Sequence, residues 1–98
     1  MDKLKEALVL IFTREQKSYE NYVSLLTNLQ QKCLLTIARE GGQNIFSQSF
    51  MKAGGFTNPS SVRRAILRMV NINLLYENSG EYRFINPFFR AWLIQLGS

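Results

Sequence analysis

The chain has 98 residues and a net charge of +5, with no histidine and one cysteine. This length supports one modest core, and the composition argues against an internal disulfide, a zinc site and a catalytic imidazole. The longest apolar run, residues 7–12, is far shorter than the roughly 20 residues that a membrane span requires. Asp2 and Glu6 are also unlike a signal peptide, so we expect a cytoplasmic protein without a membrane segment.

The first predicted element is a long helix in an N-terminal segment, residues 1–26. Residues 7–12 are apolar on every side, so the core of the same chain, a second copy or a neighbouring domain should cover them. A buried strand is the competing interpretation of this run. Val9, Leu10 and Phe12 are candidate protein contacts, which would form a homodimer through this helix. The helical stripe consists of Leu4, Leu8, Ile11, Tyr19, Tyr22, Val23 and Leu26.

A second helix is predicted to begin at Thr27, because Thr27 and Gln30 have the spacing of a capping box. Gly41 and Gly42 end it, as glycine commonly does by taking the left-handed conformation. Its cysteine lies on the apolar side and is expected to be a small buried hydrophobe rather than a reactive thiol. The buried stripe consists of Leu29, Cys33, Leu34, Ile37 and Ala38.

Residues 44–46 are predicted to form a short extended segment, after which Ser47 caps a helix of fewer than two turns. Phe50 and Met51 point inward from this helix, and a glycine pair closes it. A longer helix follows after Phe56. Residues 47–73 therefore have the helix, turn, helix order of a DNA-binding motif.

The longer helix has two different faces. Asn58 is a good N-cap, and Pro59 occupies a first-turn position that needs no backbone donor. One stripe is apolar and faces the core: Val62, Ala65, Ile66, Met69 and Val70. The opposite stripe is basic, which is typical of a helix placed in a DNA groove and also of an ordinary solvated helix. The candidate nucleic-acid-binding residues are Ser60, Ser61, Arg63, Arg64 and Arg68, and the aliphatic Leu67 among them is a candidate protein contact.

A β-hairpin and a last helix complete the chain. A serine–glycine pair at 79–80 separates two short aromatic and aliphatic runs, which is a hairpin signal. Glu77 and Glu81 flank the tip, so the hairpin is not expected to be the main cationic contact. Asn86 and Pro87 then begin an apolar helix that must dock on the core. Its predicted inward residues are Phe88, Phe89, Trp92, Leu93 and Leu96.

The order of these elements predicts a mainly α protein with a small β-hairpin, an α+β fold. Residues 27–98 form a winged helix-turn-helix, in which the hairpin is the wing, and an extra N-terminal helix precedes it. The aromatic residues of the last helix are expected to belong to the core rather than to a platform for stacked bases.

Three stretches of this sequence carry a resemblance to a known family: residues 45–50, 59–66 and 82–93. They resemble the C-terminal winged-helix domain of prokaryotic, archaeal-type AAA+/STAND ATPases over about residues 27–96. The most specific part is Tyr-x-Phe followed by Pro-Phe-Phe-Arg-x-Trp-Leu. That family usually has aspartate before the proline, whereas this chain has Asn86, which keeps the capping ability and loses the charge.

The resemblance implies that this chain is a fragment of a larger ATP-binding protein. Residues 1–26 would correspond to the helical region between its nucleotide-binding core and the winged helix. The residues themselves lack a GxxxxGK[ST] phosphate loop, and Asp2 is the only aspartate. We therefore expect neither a cofactor nor enzyme activity in this chain, and ATP and Mg²⁺ are implied only for the parent protein.

Two main functions remain open at this stage. The domain could bind duplex DNA through its basic helix, which we favour. It could instead be a regulatory module that packs on the ATPase core or on another subunit, a role that the exposed Leu67 would suit. A stand-alone transcription regulator that dimerises through the N-terminal helix is a third, less favoured, interpretation.

Overall fold

The computed structural model describes residues 2–96 as five helices and one antiparallel hairpin. The elements are α1 (Lys3–Ser24), α2 (Asn28–Glu40), α3 (Gln48–Gly54), α4 (Pro59–Asn71), β1 (Leu75–Asn78), β2 (Glu81–Phe84) and α5 (Pro87–Leu96). This order confirms the predicted winged helix, with α3 and α4 as the helix-turn-helix and the β1–β2 hairpin as the wing. Met1, Gly97 and Ser98, at the ends of the two predicted segments, lie outside the described residues. No helix within residues 2–96 is long and apolar enough to cross a membrane.

The start of α2 has the predicted capping box. Thr27 Oγ1 accepts a hydrogen bond from Gln30 N at 3.2 Å, and Gln30 Oε1 accepts one from Thr27 N at 3.0 Å. These bonds satisfy backbone donors that a helix start leaves without intrahelical partners. Gln31 donates its side-chain amide to the carbonyls of Val23 and Leu26 at 3.1 and 3.2 Å. The end of α1 is thereby tied to the beginning of α2.

The predicted extended segment at residues 44–46 is wrong, because this stretch forms a turn. Asn44 has a φ of 50°, a left-handed conformation that asparagine tolerates better than most residues. Its carbonyl accepts a hydrogen bond from Ser47 N at 3.0 Å, which turns the chain into the N-cap of α3. The described sheet therefore keeps two strands rather than three.

The wing is anchored at its base and open at its tip. Leu75 lies opposite Phe84 at the base, and both side chains are buried. At the tip, Ser79 and Gly80 have φ values of 54° and 81°, as the central residues of a type I′ turn require. The base therefore belongs to the core, while the tip extends into solvent.

Two features stabilise the end of α2, the glycine that the sequence predicted and an arginine that it did not. Gly41 ends the helix with a φ of 89° and a ψ of 165°, so its φ is positive but its conformation is not the predicted left-handed one. Arg90 of α5 donates its Nε to the carbonyl of Ala38 at 2.9 Å. A cation is favourable at a helix C-terminus, where the last carbonyls lack helical partners. The arginine of the Pro-Phe-Phe-Arg motif thus joins α5 to α2.

Helix α5 begins at the predicted cap and docks through aromatic rings. Asn86 Oδ1 accepts hydrogen bonds from the backbone amides of Phe88 and Phe89 at 2.9 and 3.4 Å. The helix packs on α1 and α2. The rings of Phe89 and Trp92 each have their centroids 5.3 Å from that of Tyr19 on α1. The predicted burial of Trp92 is confirmed, with 7% of the residue exposed.

Five residues that were predicted to lie in buried stripes are exposed instead: Leu4, Tyr22, Leu29, Phe88 and Leu96. Most of these errors have one cause, which is that a helical stripe is buried only where another element covers it. Helix α5 has 10 residues against 22 in α1, so it cannot cover the whole length of α1. Phe88 and Leu96 lie in the first and last turns of α5, whereas Phe89, Trp92 and Leu93 are buried.

We expect Trp92→Ala to lower the free energy of unfolding by about 3 to 5 kcal/mol, because truncation of a large core aromatic leaves a cavity. In a domain of this size that loss would leave little stability. Phe88→Ala is the matched control, since Phe88 is 45% exposed and its truncation should cost far less. Chemical denaturation of both variants is the measurement, and equal midpoints would contradict the docking of α5.

Gly42, just after the end of α2, lies directly against the wing. A Cβ atom on Gly42 would collide with the backbone of Tyr82, whose amide donates a hydrogen bond to Gly42 O at 3.0 Å. We expect Gly42→Ala to push the wing away and to raise the exchange rate of the Tyr82 amide by about tenfold or more. Gly80→Ala is the control, because it strains the turn at a φ of 81° but meets nothing within 4 Å. Equal exchange rates of the Tyr82 amide in the two variants would show that the close contact between Gly42 and Tyr82 does not hold the wing in place.

Candidate nucleic-acid interface

Helix α4 starts as its sequence predicts. Asn58 Oδ1 accepts hydrogen bonds from the backbone amides of Ser60 and Ser61 at 2.9 and 3.4 Å. Pro59 lies in the first turn, where its missing amide costs nothing. The cap and the proline together fix where α4 begins, and therefore which of its residues face outward.

The two faces of α4 are separated as predicted. Val62, Ala65, Ile66 and Met69 are buried, and Val70 is half-buried against the core. The outward residues are Ser60, Arg63, Arg64, Leu67, Arg68 and Asn71, all exposed, with Ser61 half-buried at the edge. Because the inner face packs on α2, the outer face is held in place by the core. The structure therefore brings all five candidate nucleic-acid-binding residues onto one helix surface.

The three arginines do not share one line along that surface. Successive helical residues turn about 100°, so Arg64 lies near the middle of the outer face while Arg63 and Arg68 lie on opposite flanks. Arg64 Nη2 donates to Ser61 Oγ at 3.4 Å, a weak contact that leaves the guanidinium exposed. Leu67 lies beside Arg64 on the central strip and is 52% exposed. A ligand on this face would meet a cationic surface with an aliphatic centre.

Arg63 faces the wing and the turn before α3. Its guanidinium carbon lies 4.9 Å from the centroid of the Phe46 ring, which is the geometry of a cation–π contact. The neighbouring Tyr82 has a raised pKa, chiefly because of burial and then because Glu77 accepts a hydrogen bond from its hydroxyl, while Arg63 acts in the opposite direction. Arg63 thus lies over Phe46 and close enough to Tyr82 to affect its pKa. The sequence indicated its exposure but none of these contacts.

The wing carries no net positive charge, because Glu77 and Glu81 outnumber Arg83. Arg83 Nη2 lies 3.2 Å from Glu81 Oε2, and the hydrogen bond from Arg83 lowers the pKa of the Glu81 carboxyl. Both groups are solvated, so this pair is screened and stabilises the hairpin only slightly. With Glu77 nearby on β1, the tip is not where the cationic field is strongest. The charge at the wing tip is therefore unfavourable for contact with a polyanion.

Lys32 is a further cation near the start of α4, and sequence analysis did not identify it. It lies on α2 and lines a small groove together with Asn58 and Ser61. Its Nζ atom is 5.8 Å from the centroid of the Phe56 ring. No local pattern distinguishes Lys32 from any other exposed lysine, because its proximity to α4 depends on how α2 and α4 pack.

The described residues offer little chemistry beyond this surface. Within residues 2–96, no group of three or more Cys, Asp and Glu side chains is placed to hold a metal ion. Cys33 is fully buried, as predicted, and burial raises the pKa of its thiol to about 11. A thiol that stays protonated at neutral pH is a poor nucleophile.

Comparison with known proteins agrees with this architecture. No curated protein and no solved structure gave a match. A family model described as a probable winged helix domain matches residues 17–95, from the second half of α1 to the last turn of α5. Because that match covers most of the chain and the element order is that of a winged helix, the protein belongs to this winged-helix domain family.

Proposed function

We propose that this domain binds duplex DNA through the outer face of α4. The observation that carries the proposal is the set of three exposed arginines on a helix whose other face is buried in a helix-turn-helix. Such a helix can enter the major groove with its outer residues toward the bases and phosphates. The guanidinium groups and the hydroxyls of Ser60 and Ser61 supply the hydrogen-bond donors that phosphate oxygens accept.

We infer different roles for the three arginines from their positions on α4. Arg64, on the central strip, is placed to contact a base edge, where a bidentate arginine reads guanine. Arg68, on one flank, would contact the phosphates of one strand. Arg63 is pre-oriented on Phe46 and would contact the opposite strand, and Lys32 would add a phosphate contact at the start of α4. Affinity would come mainly from the phosphates, since only Arg64 is central.

This binding is expected to be weak and sensitive to salt. If Arg63, Arg68 and Lys32 each neutralise one phosphate, log affinity should fall against log salt with a slope of about −2.7, taking about −0.9 per phosphate. Without base contacts, the dissociation constant should be roughly 10⁻⁴ to 10⁻⁶ M at physiological salt. Fluorescence anisotropy of a labelled duplex at several salt concentrations measures both quantities.

Charge reversal tests the proposed surface. The double substitution Arg64→Glu and Arg68→Glu should abolish duplex binding. The free energy of unfolding should change by no more than about 0.5 kcal/mol for each of these exposed positions. The control is Lys3→Glu with Lys17→Glu, which changes the net charge equally but lies on α1. The DNA proposal fails if both pairs weaken binding to the same extent, or if the unmodified domain does not bind at low salt.

The second candidate function is a contact with another protein, and Leu67 is the observation that favours it. An aliphatic side chain that is 52% exposed on the central strip suits a protein surface better than a phosphate backbone. Leu67→Ala should then leave duplex binding nearly unchanged and weaken the protein contact. The opposite pattern would favour a hydrophobic contact with a thymine methyl group in the DNA groove.

The resemblance of residues 82–93 to the ATPase family supports a role within a larger ATP-binding protein. In that case the ATP and Mg²⁺ site belongs to the parent's nucleotide-binding core, and this domain would bind DNA or pack on that core. A phosphate-binding loop upstream in the same open reading frame would support this context. An open reading frame that begins at Met1 would favour the stand-alone regulator instead.

A further inference from the structure

Helix α1 leaves large apolar side chains exposed near both of its ends. Leu4 is 65% exposed near the start of the helix, and Leu25 is 63% exposed at its C-cap. Tyr22 is 39% exposed, although its ring contacts Phe89 of α5 with the centroids 5.5 Å apart. Between these ends, Glu15 is exposed. Along the accessible side of α1, the two ends are therefore apolar and the middle is polar.

These exposed residues belong to one stripe, the α1 seam, with the alternating spacing of a coiled coil. Steps of four and three residues place seven positions on one side of the helix. The seam consists of Leu4, Leu8, Ile11, Glu15, Ser18, Tyr22 and Leu25. Leu8 and Ile11 are half-buried, and neither is among the residues that pack against the described core. The seam borders the buried stripe that holds Tyr19, and Tyr22 contacts Tyr19 and Phe89 at that border.

We propose that the α1 seam is a docking surface for a second copy of this chain, paired antiparallel about a two-fold axis between residues 16 and 17. In this register Leu8 lies opposite the second copy's Leu25, and Ile11 lies opposite the second copy's Tyr22. Each Glu15 lies opposite a Ser18. A single surface thereby meets itself, as a two-fold interface requires.

The polarity pattern selects this partner and this register over the alternatives. A shift by one heptad would place Leu8 against Ser18 and Ile11 against Glu15, so apolar residues would lose their apolar partners. A parallel pair would place Glu15 against Glu15, and like charges at a seam destabilise it. The antiparallel register matches every apolar position from residues 8 to 25 with another apolar one.

Charge complementarity supports the same register at the centre of the seam. Ser18 can donate its hydroxyl hydrogen to the facing Glu15 carboxylate. Arg14, next to the seam, would lie one helical turn along from the Glu15 of the other copy, which is within reach of its long side chain. The two central carboxylates would thus each have a hydroxyl and a guanidinium nearby.

This surface differs from the protein contacts that the sequence suggested. Phe12 packs against the core and is half-buried, so it is not free to meet a partner. Val9 and Leu10 are exposed, at 53% and 64%, but lie off the seam and on different sides of α1. Leu10 therefore provides a matched control for Leu25, because the two leucines are almost equally exposed, one within α1 and the other at its C-cap.

Leu25→Lys should raise the dissociation constant of the dimer by at least about tenfold, since each dimer loses two apolar contacts. Leu10→Lys carries the same charge change and should leave the dimer intact. Sedimentation velocity from roughly 1 to 100 µM, within ordinary dimer affinities, is the measurement. A monomer throughout this range, or an equal effect of both substitutions, would overturn the proposal.

Disulfide trapping tests the register. In a Cys33→Ala background, chains with Glu15→Cys and chains with Ser18→Cys should each fail to cross-link alone and should form a mixed disulfide when combined, because Glu15 faces Ser18 and neither residue faces its own copy. A homodisulfide of the Glu15→Cys chain would indicate a parallel pair and overturn the proposal. The absence of cross-linking in the mixture, at concentrations where sedimentation shows a dimer, would place the interface elsewhere. Neither test involves DNA, so this proposal and the DNA proposal can fail separately.

Discussion

The packing of Phe89 is the interaction on which the rest of the fold depends. Phe89 is 1% exposed, and the centroid of its ring lies within 6.1 Å of the centroids of four other aromatic rings. Tyr19 and Tyr22 come from α1, Phe84 comes from the wing, and Trp92 comes from α5 itself. Phe89 therefore lies where the N-terminal helix, the hairpin and the last helix meet. Without it, α1 and the base of the wing would both lose their ring contacts with the first turn of α5.

This dependence explains which features could be predicted from the sequence. The starts of α2, α4 and α5 were correct because a cap involves residues two or three positions apart, as with Thr27 and Gln30. The inner stripe of α4 was correct because it is covered along its length. Burial failed at Leu4 and Phe88, where the covering element is absent or too short. Periodicity shows which side of a helix is apolar, but not how far its neighbour extends.

The candidate site divides in the same way. The outer face of α4 follows from helical spacing alone, so Arg64 and Arg68 could be identified directly. The position of Arg63 over Phe46 could not, because it depends on a turn that the sequence suggested was extended. Lys32 joins the site only through the packing of α2 on α4. The cationic character of the surface was therefore predictable, whereas its shape and its flanks were not.

The two proposed surfaces have a combined consequence that neither has alone. One α4 face offers about three phosphate contacts, which limits a single copy to weak binding. If two copies paired along the α1 seam and both α4 faces reached one duplex, the second contact would become intramolecular and gain a high effective concentration. The salt slope would then approach about −5.4, twice the value for one copy. Leu25→Lys would return it to about −2.7 without touching any residue of the DNA-binding face. If the salt slope stays near the single-copy value in both the unmodified chain and the Leu25→Lys variant, the paired seam holds the two α4 faces too far apart to reach one duplex.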